Sequence, residues 1–176
     1  MTAQRSDDLL ILLQDAGLDF VVVGGVAAIA HGSARSTKDL NIVVKFNEES
    51  LQILVDALRP HRPKHLSRPD LGVVNQSAQE LSSHRLLLLI TDLGRLDVLR
   101  EVSPIGGLQS LATVDMELVE GRFFPVISLD QLILIKSTLT RPKDRDVETE
   151  LRTIRSLACE TAWETSPRPT PSPENS

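Results

Sequence analysis

The sequence predicts an α/β fold: a small mixed sheet flanked by helices, with the carboxy-terminal helices packed on one side. Three observations predict it. The stretch 19–23, Asp-Phe-Val-Val-Val, is short, β-branched and apolar, and it runs straight into Gly24-Gly25 and a small-residue helix over 26–31. Two later pairs of apolar runs, 86–91 with 95–99 and 114–119 with 122–127, are each joined by a glycine-containing turn. From Ser128 onward the apolar residues take helical spacing, broken at Pro142.

Each element has a local reason. Ser6-Asp7-Asp8 ahead of Leu9, Leu10, Leu12 and Leu13 reads as a capped amphipathic helix, and Gly17 suits the left-handed residue that ends it. Leu40-Asn41-Ile42-Val43-Val44 is the second strand. Asn47 caps the next helix, with Glu48 and Glu49 at its positive end and Leu51, Ile53, Leu54, Val55 and Leu58 as its apolar side, up to Arg59-Pro60. Residues 59–70 hold three prolines and six basic or histidine side chains, which predicts an irregular, positively charged loop. Asp92-Leu93-Gly94 and Glu120-Gly121 are the hairpin turns. Ser128 and Gln131 form a capping-box pattern before Leu129, Leu132, Ile133 and Ile135, and Asp144 is expected to cap a last helix over 144–159. Residues 1–160 thus read as one domain, and the Pro/Ser-rich 161–176 as a disordered tail.

Composition narrows the function. The chain has 176 residues, 41% of them hydrophobic, and a formal net charge of −5, which suits one globular domain and argues against coating nucleic acid by bulk charge. No apolar run reaches the roughly 18 residues of a membrane span, and MTAQRSDDLL lacks the order of a secretion signal, so the expected location is cytoplasmic, away from any membrane. The single Cys159 has no partner for a disulfide or a metal site. Five aromatic side chains are too few for a base-stacking platform.

The chemistry concentrates in one stretch. Gly24-Gly25 at a strand end lets backbone approach a phosphate, although close strand-helix packing demands the same residues. Asp39 follows, with Asn41 two residues on and, by strand alternation, on the same face. Asp97 is a lone carboxylate between Leu96 and Val98, and its burial calls for a metal ion or for an arginine such as Arg35 or Arg95. Ser33 and Arg35 stand on the approach to Asp39 as candidate phosphate contacts, or as structural partners of the carboxylates. Lys136 interrupts an apolar helix, as a snorkelling lysine also would.

Val23-Gly24-Gly25, Asp39-Leu40-Asn41 and Leu96-Asp97-Val98 occur in the order of the nucleotidyltransferase superfamily that includes DNA polymerase beta, and the chain resembles it over about residues 6–158. The segments GGVAAIAHGSARSTKDL, ITDLGRLDVLREV and ISLDQLILIKSTLTRPKD make it most similar to small bacterial AbiEii-type nucleotidyltransferases of toxin–antitoxin systems. The resemblance implies transfer of a nucleoside monophosphate from a nucleoside triphosphate to a hydroxyl of RNA, such as transfer RNA, or of protein. It also implies a toxin-like role and an antitoxin-like protein partner. Asp39, Asn41 and Asp97 would be the Mg2+ ligands, and Asp39, Asp97 and Lys136 the catalytic residues. Gly24, Gly25, Ser33 and Arg35 would bind the nucleotide. Asn41 departs from the pattern, where a third carboxylate is expected, so a non-catalytic module that binds a nucleotide or a partner is the alternative.

Overall fold

The computed structural model describes residues 4–164, so the predicted tail over 161–176 lies almost wholly outside the described residues. The chain begins with helix α1 (Ser6–Asp15), strand β1 (Phe20–Val23), helix α2 (Gly24–Ala30), strand β2 (Leu40–Val44) and helix α3 (Glu48–Leu58). Then come β3 (Lys64–His65), α4 (Ala78–Ser82), the hairpin β4 (Leu86–Thr91) and β5 (Gly94–Leu99), and a small hairpin of β6 (Glu101–Val102) and β7 (Gly106–Gly107). The hairpin β8 (Thr113–Val119) and β9 (Arg122–Ile127) leads into α5 (Leu129–Thr138) and α6 (Pro142–Glu164).

Seven strands form a mixed sheet in the order β3-β4-β5-β2-β1-β9-β8. β2 runs antiparallel to β1 but parallel to β5, and β1 is parallel to β9. One face is wholly apolar: Leu40, Ile42 and Val44 of β2 lie beside Leu96 and Val98 of β5 and Phe20 and Val22 of β1, all buried together with Leu9 and Leu13 of α1 and Leu51, Leu54 and Leu58 of α3. Burial of that row fixes the register, since a slip by one residue would exchange the faces. The same alternation turns Asn41 and Asp97 to the opposite face. There α2 packs along β2, α5 along α2, and α6 along α5. Among the described residues no helix is long and apolar enough to cross a membrane.

Several terminal predictions need correction. Ser6 is the first helical residue, not the cap, which is Arg5 with no side-chain hydrogen bond. Gly17 does adopt positive φ, and the Asn47 side chain accepts from the Ser50 N–H. The capping box at Ser128 is only half made: Ser128 Oγ accepts from Gln131 N–H, but the Gln131 amide reaches Ala112 and Ser110 instead. Pro142 opens α6, because its fixed φ and missing N–H suit a first turn, which moves Asp144 from the cap to the inside of that turn. The 59–70 segment is more ordered and less positive than predicted. It contains a 3-10 turn and β3, while Arg59, Arg62 and Arg68 are ion-paired with Asp56, Asp92 and Asp70. Each of these three carboxyls is held below its ordinary range, first of all by a side-chain hydrogen bond: from Gln52 at Asp56, Arg62 at Asp92 and Arg68 at Asp70.

Candidate active site

The parallel pairing of β2 with β5 assembles the centre of the site. Asn41 is the direct neighbour of Asp97 across the ladder, and Asp39, one residue before the strand, lies on the same side as Arg95. Arg95 grips both oxygens of Asp97, Nε to Oδ1 at 2.9 Å and Nη2 to Oδ2 at 3.0 Å, and stands 3.9 Å from Asp39 Oδ2. The hydrogen bonds to Asp97 raise the Arg95 pKa above its ordinary value. This settles which arginine partners Asp97: Arg95 does, whereas Arg35 is bound to Glu150 at 3.0 Å. A two-residue offset along one strand, matched by the same offset on the next, made Arg95 the geometrically favoured choice.

The glycine pair is demanded by packing as well as by access. Gly24 has φ +68°, and a Cβ placed on it would come within 3.0 Å of Asn41 Cγ. At Gly25 a Cβ would stand 2.6 Å from Thr37 Oγ1. Thr37 Oγ1 in turn donates to Asp39 Oδ1 at 2.8 Å, so the room left by Gly25 seats the residue that orients Asp39. Thr37 was visible in the sequence only as one of several polar residues before Asp39.

At the α5–α6 corner Lys136 Nζ donates to Asp144 Oδ1 at 2.8 Å, and Arg141 lies 3.5 Å from the other oxygen. Both members of the Lys136–Asp144 pair are largely buried. A buried ion pair is seldom more stabilising than an apolar pair of equal volume, so its value here lies in placing an ammonium group. Sequence reasoning gave Asp144 a different task, and no pattern linked positions eight apart across a proline. Ser33 is buried, with its Oγ accepting from Arg35 N–H at 3.4 Å. Glu150 of α6 also accepts from the Ala34 N–H, and that bond, followed by Arg35, holds its carboxyl below the usual range. The His31 ring contacts the Ile127 carbonyl at 2.8 Å and is structural.

These separate pieces face one cavity of about 940 Å³. Gly24, Gly25, Ser33, Arg35, Asp39, Asn41, Asp97 and Lys136 all line it. Arg35, Lys38, Arg95, Lys136, Arg141 and Lys143 face the carboxylates of Asp39, Asp97 and Asp144, and with Glu150 set against Arg35 the excess is two positive charges, in a chain that is net negative. Such a cleft concentrates an anion. Among the described residues there is no group of three or more His, Cys, Asp or Glu side chains placed to hold a metal ion. The oxygen donors nearest to such a group are Asp39, Asp97 and the amide of Asn41.

The chain matches no protein-family model and no curated protein sequence. Among solved structures it is similar to the lincosamide antibiotic adenylyltransferase LnuA bound to lincomycin, with a TM-score of 0.57 and 15% identity over 88% of this chain and 99% of that one. A protein from Thermotoga maritima, named as a candidate nucleotidyltransferase, aligns at 12% identity over 92% of this chain and 95% of its own, with a TM-score of 0.43. With its mixed seven-stranded sheet and helices, this chain has the α/β fold of a nucleotidyltransferase.

Proposed function

We propose that this chain transfers a nucleoside monophosphate from a nucleoside triphosphate to an acceptor hydroxyl. The observation that carries the reading is a shared cavity in which an excess of cations faces the Asp39–Asp97 carboxylate pair. Lys136, Arg141 and Lys143 on one wall suit the triphosphate, with Gly24 and Gly25 leaving its approach open. The acceptor oxygen forms the new bond to the α-phosphorus. The bond from that phosphorus to the bridging oxygen breaks, pyrophosphate departs with the electron pair, and the hydroxyl proton passes to solvent. The site's own contribution is to hold these groups in line and to balance the developing charge.

The donor set fits magnesium. Asp39, Asn41 and Asp97 offer oxygen from one side of the sheet, which a hard cation accepts. Such an ion would supply electrophilic stabilisation of the phosphate oxygens and activate the acceptor hydroxyl. Thr37 orients Asp39 for that purpose, whereas at Asp97 the ion would have to displace Arg95 from at least one of the two oxygens it holds. Asn41 adds an oxygen without a charge. With Arg95 counted, the centre carries one net negative charge, which favours a weaker hold on the metal than three carboxylates would give.

Asn41 also favours a second reading, a module that binds a nucleotide without transferring it. One experiment separates the two. The protein is incubated with magnesium and each α-labelled nucleoside triphosphate, ATP first because the LnuA neighbour is an adenylyltransferase, with total RNA, cell lysate and small alcohols as acceptors. Label transfer that disappears in Asp39→Ala and Asp97→Ala supports the enzyme. Nucleotide binding with no transfer by the wild type or by Asn41→Asp supports the module.

A further inference from the structure

β4 is apolar on both sides. Leu87 and Leu89 are buried in the core, as expected, but Leu86 and Ile90 are 43% and 37% exposed, with Leu88 half-buried between them. The solvated face of an antiparallel strand is ordinarily polar, so this alternation is unexplained by the fold. Leu66, 37% exposed, extends the row: its N–H donates to the Leu88 carbonyl at 2.8 Å, two residues along from the Lys64–Ile90 pair. The register puts this stripe beside the site. Leu88 lies directly opposite Asp97, and Ile90 opposite Arg95, so their side chains project to the same face as the carboxylate centre. Lys136, Arg141 and Lys143 line the same cavity as Arg95 and Asp97, which are the ladder partners of Ile90 and Leu88.

We infer that Leu66, Leu86, Leu88 and Ile90 form the acceptor subsite, and that the acceptor is a small amphipathic alcohol whose apolar part lies on the stripe and whose hydroxyl reaches Asp97. This rests on the nucleotidyl-transfer reading above and names its substrate class. Size argues for a small molecule. The four side chains offer on the order of 300 Å² of apolar surface, well below the roughly 800 Å² per partner of a stable protein interface. Charge gives RNA little to hold, because Arg59, Arg62 and Arg68, near Leu66 in sequence, are each ion-paired with an aspartate, which leaves Lys64, the ladder partner of Ile90, as the cation beside the stripe. A phosphate backbone would have to break those pairs. The transfer is the one already balanced, with the alcohol oxygen bonding to the α-phosphorus and pyrophosphate leaving.

Octyl glucoside below its micelle concentration is a suitable probe, with glucose as the polar control and total transfer RNA as the rival. Full-length protein labelled at Leu, Ile, Val and Ala methyls is titrated with each, and with a non-hydrolysable ATP analogue plus magnesium. The inference expects octyl glucoside, and neither glucose nor transfer RNA, to shift the Leu86, Leu88 and Ile90 methyls. Leu86→Lys with Ile90→Lys, both at exposed positions, should weaken that binding about tenfold or more. With labelled nucleoside triphosphate, octyl glucoside should become labelled. Unmoved stripe methyls, binding insensitive to the double variant, or label on transfer RNA alone would each overturn the inference. Stripe binding without label, in protein whose Ala28, Leu139 and Val147 cavity methyls do respond to the ATP analogue, overturns the acceptor role while nucleotide binding stands. Cavity methyls that ignore the nucleotide sink the transfer reading itself, whatever the stripe does.

Discussion

Replacing Asn41 by aspartate converts the neutral member of the centre into a third carboxylate, directly across the β2–β5 ladder from Asp97. Adjacent strands are about 5 Å apart, so at an effective dielectric near 20 the new repulsion is about 3 kcal/mol. Arg95, already bound to Asp97 and near Asp39, offsets part of this, leaving a net cost of about 1–2 kcal/mol without metal. For a domain of this size the melting temperature should fall by about 2–8 °C in EDTA. Magnesium should reverse the loss, since a cation between the carboxylates removes the repulsion. The same energy appears as a metal affinity about 10-fold higher than wild type. Differential scanning fluorimetry in EDTA and across a magnesium titration measures both, with Asn41→Ala as a control for lost packing against Gly24. A variant that melts like the wild type in EDTA and gains nothing more from magnesium would show that residue 41 does not face the carboxylates, and the site as drawn would be wrong.

Gly25→Ala should cost about 1–3 kcal/mol in chemical denaturation, because its methyl would meet Thr37, and Thr37→Gly in the same chain should recover most of the loss. Lys136→Met leaves Asp144 buried beside the more distant Arg141, so it should destabilise by about 2–4 kcal/mol. Adding Asp144→Leu should restore the stability but not nucleotide affinity, as calorimetry with the ATP analogue would show. Arg95→Gln strips the counter-charge from Asp97 and should lower the melting temperature in EDTA much more than in magnesium. The Glu150 carboxyl, held below its ordinary 4.5, gives an acid limit: the Ala34–Arg35–Glu150 contact is intact above that value and is lost as the pH falls through the lower folded-state value. The Arg35 Nε–H signal should follow it, and Glu150→Gln should abolish the dependence.

Much of the frame can be read from local sequence. β2 starts and stops where Leu40 and Val44 were placed, Asn47 caps α3, and both long hairpins turn at Gly94 and Gly121, because each feature depends on residues within a few positions. Ser77 and Glu80 make a complete capping box for α4, which the local Ser-x-x-Glu spacing also carries. What local patterns do not carry is pairing across the chain. That Arg95 rather than Arg35 serves Asp97 follows from strand register, and that Glu150 takes Arg35 follows from where α6 returns. The charge of the 59–70 segment was legible as composition, but its neutralisation depends on Asp56 and Asp92, outside it. The β6–β7 hairpin gave no warning, being two residues on each side.

The position of the centre within the sheet has a dynamic consequence. β5, β2 and β1 are interior strands, each hydrogen-bonded on both sides, so the backbone amides under Asn41 and Asp97 can exchange with solvent only when most of the domain opens. The carboxylate floor is therefore a fixed plate within the fold. Lys136, Arg141 and Lys143 sit instead on a helical corner linked to the plate through α2, with Leu139, Thr140 and Arg141 between the two helices. In the proposed reaction, the motion that admits the nucleotide and releases pyrophosphate belongs to that corner. The cost of opening is set there, by the Lys136–Asp144 and Arg35–Glu150 tethers, rather than by the strands.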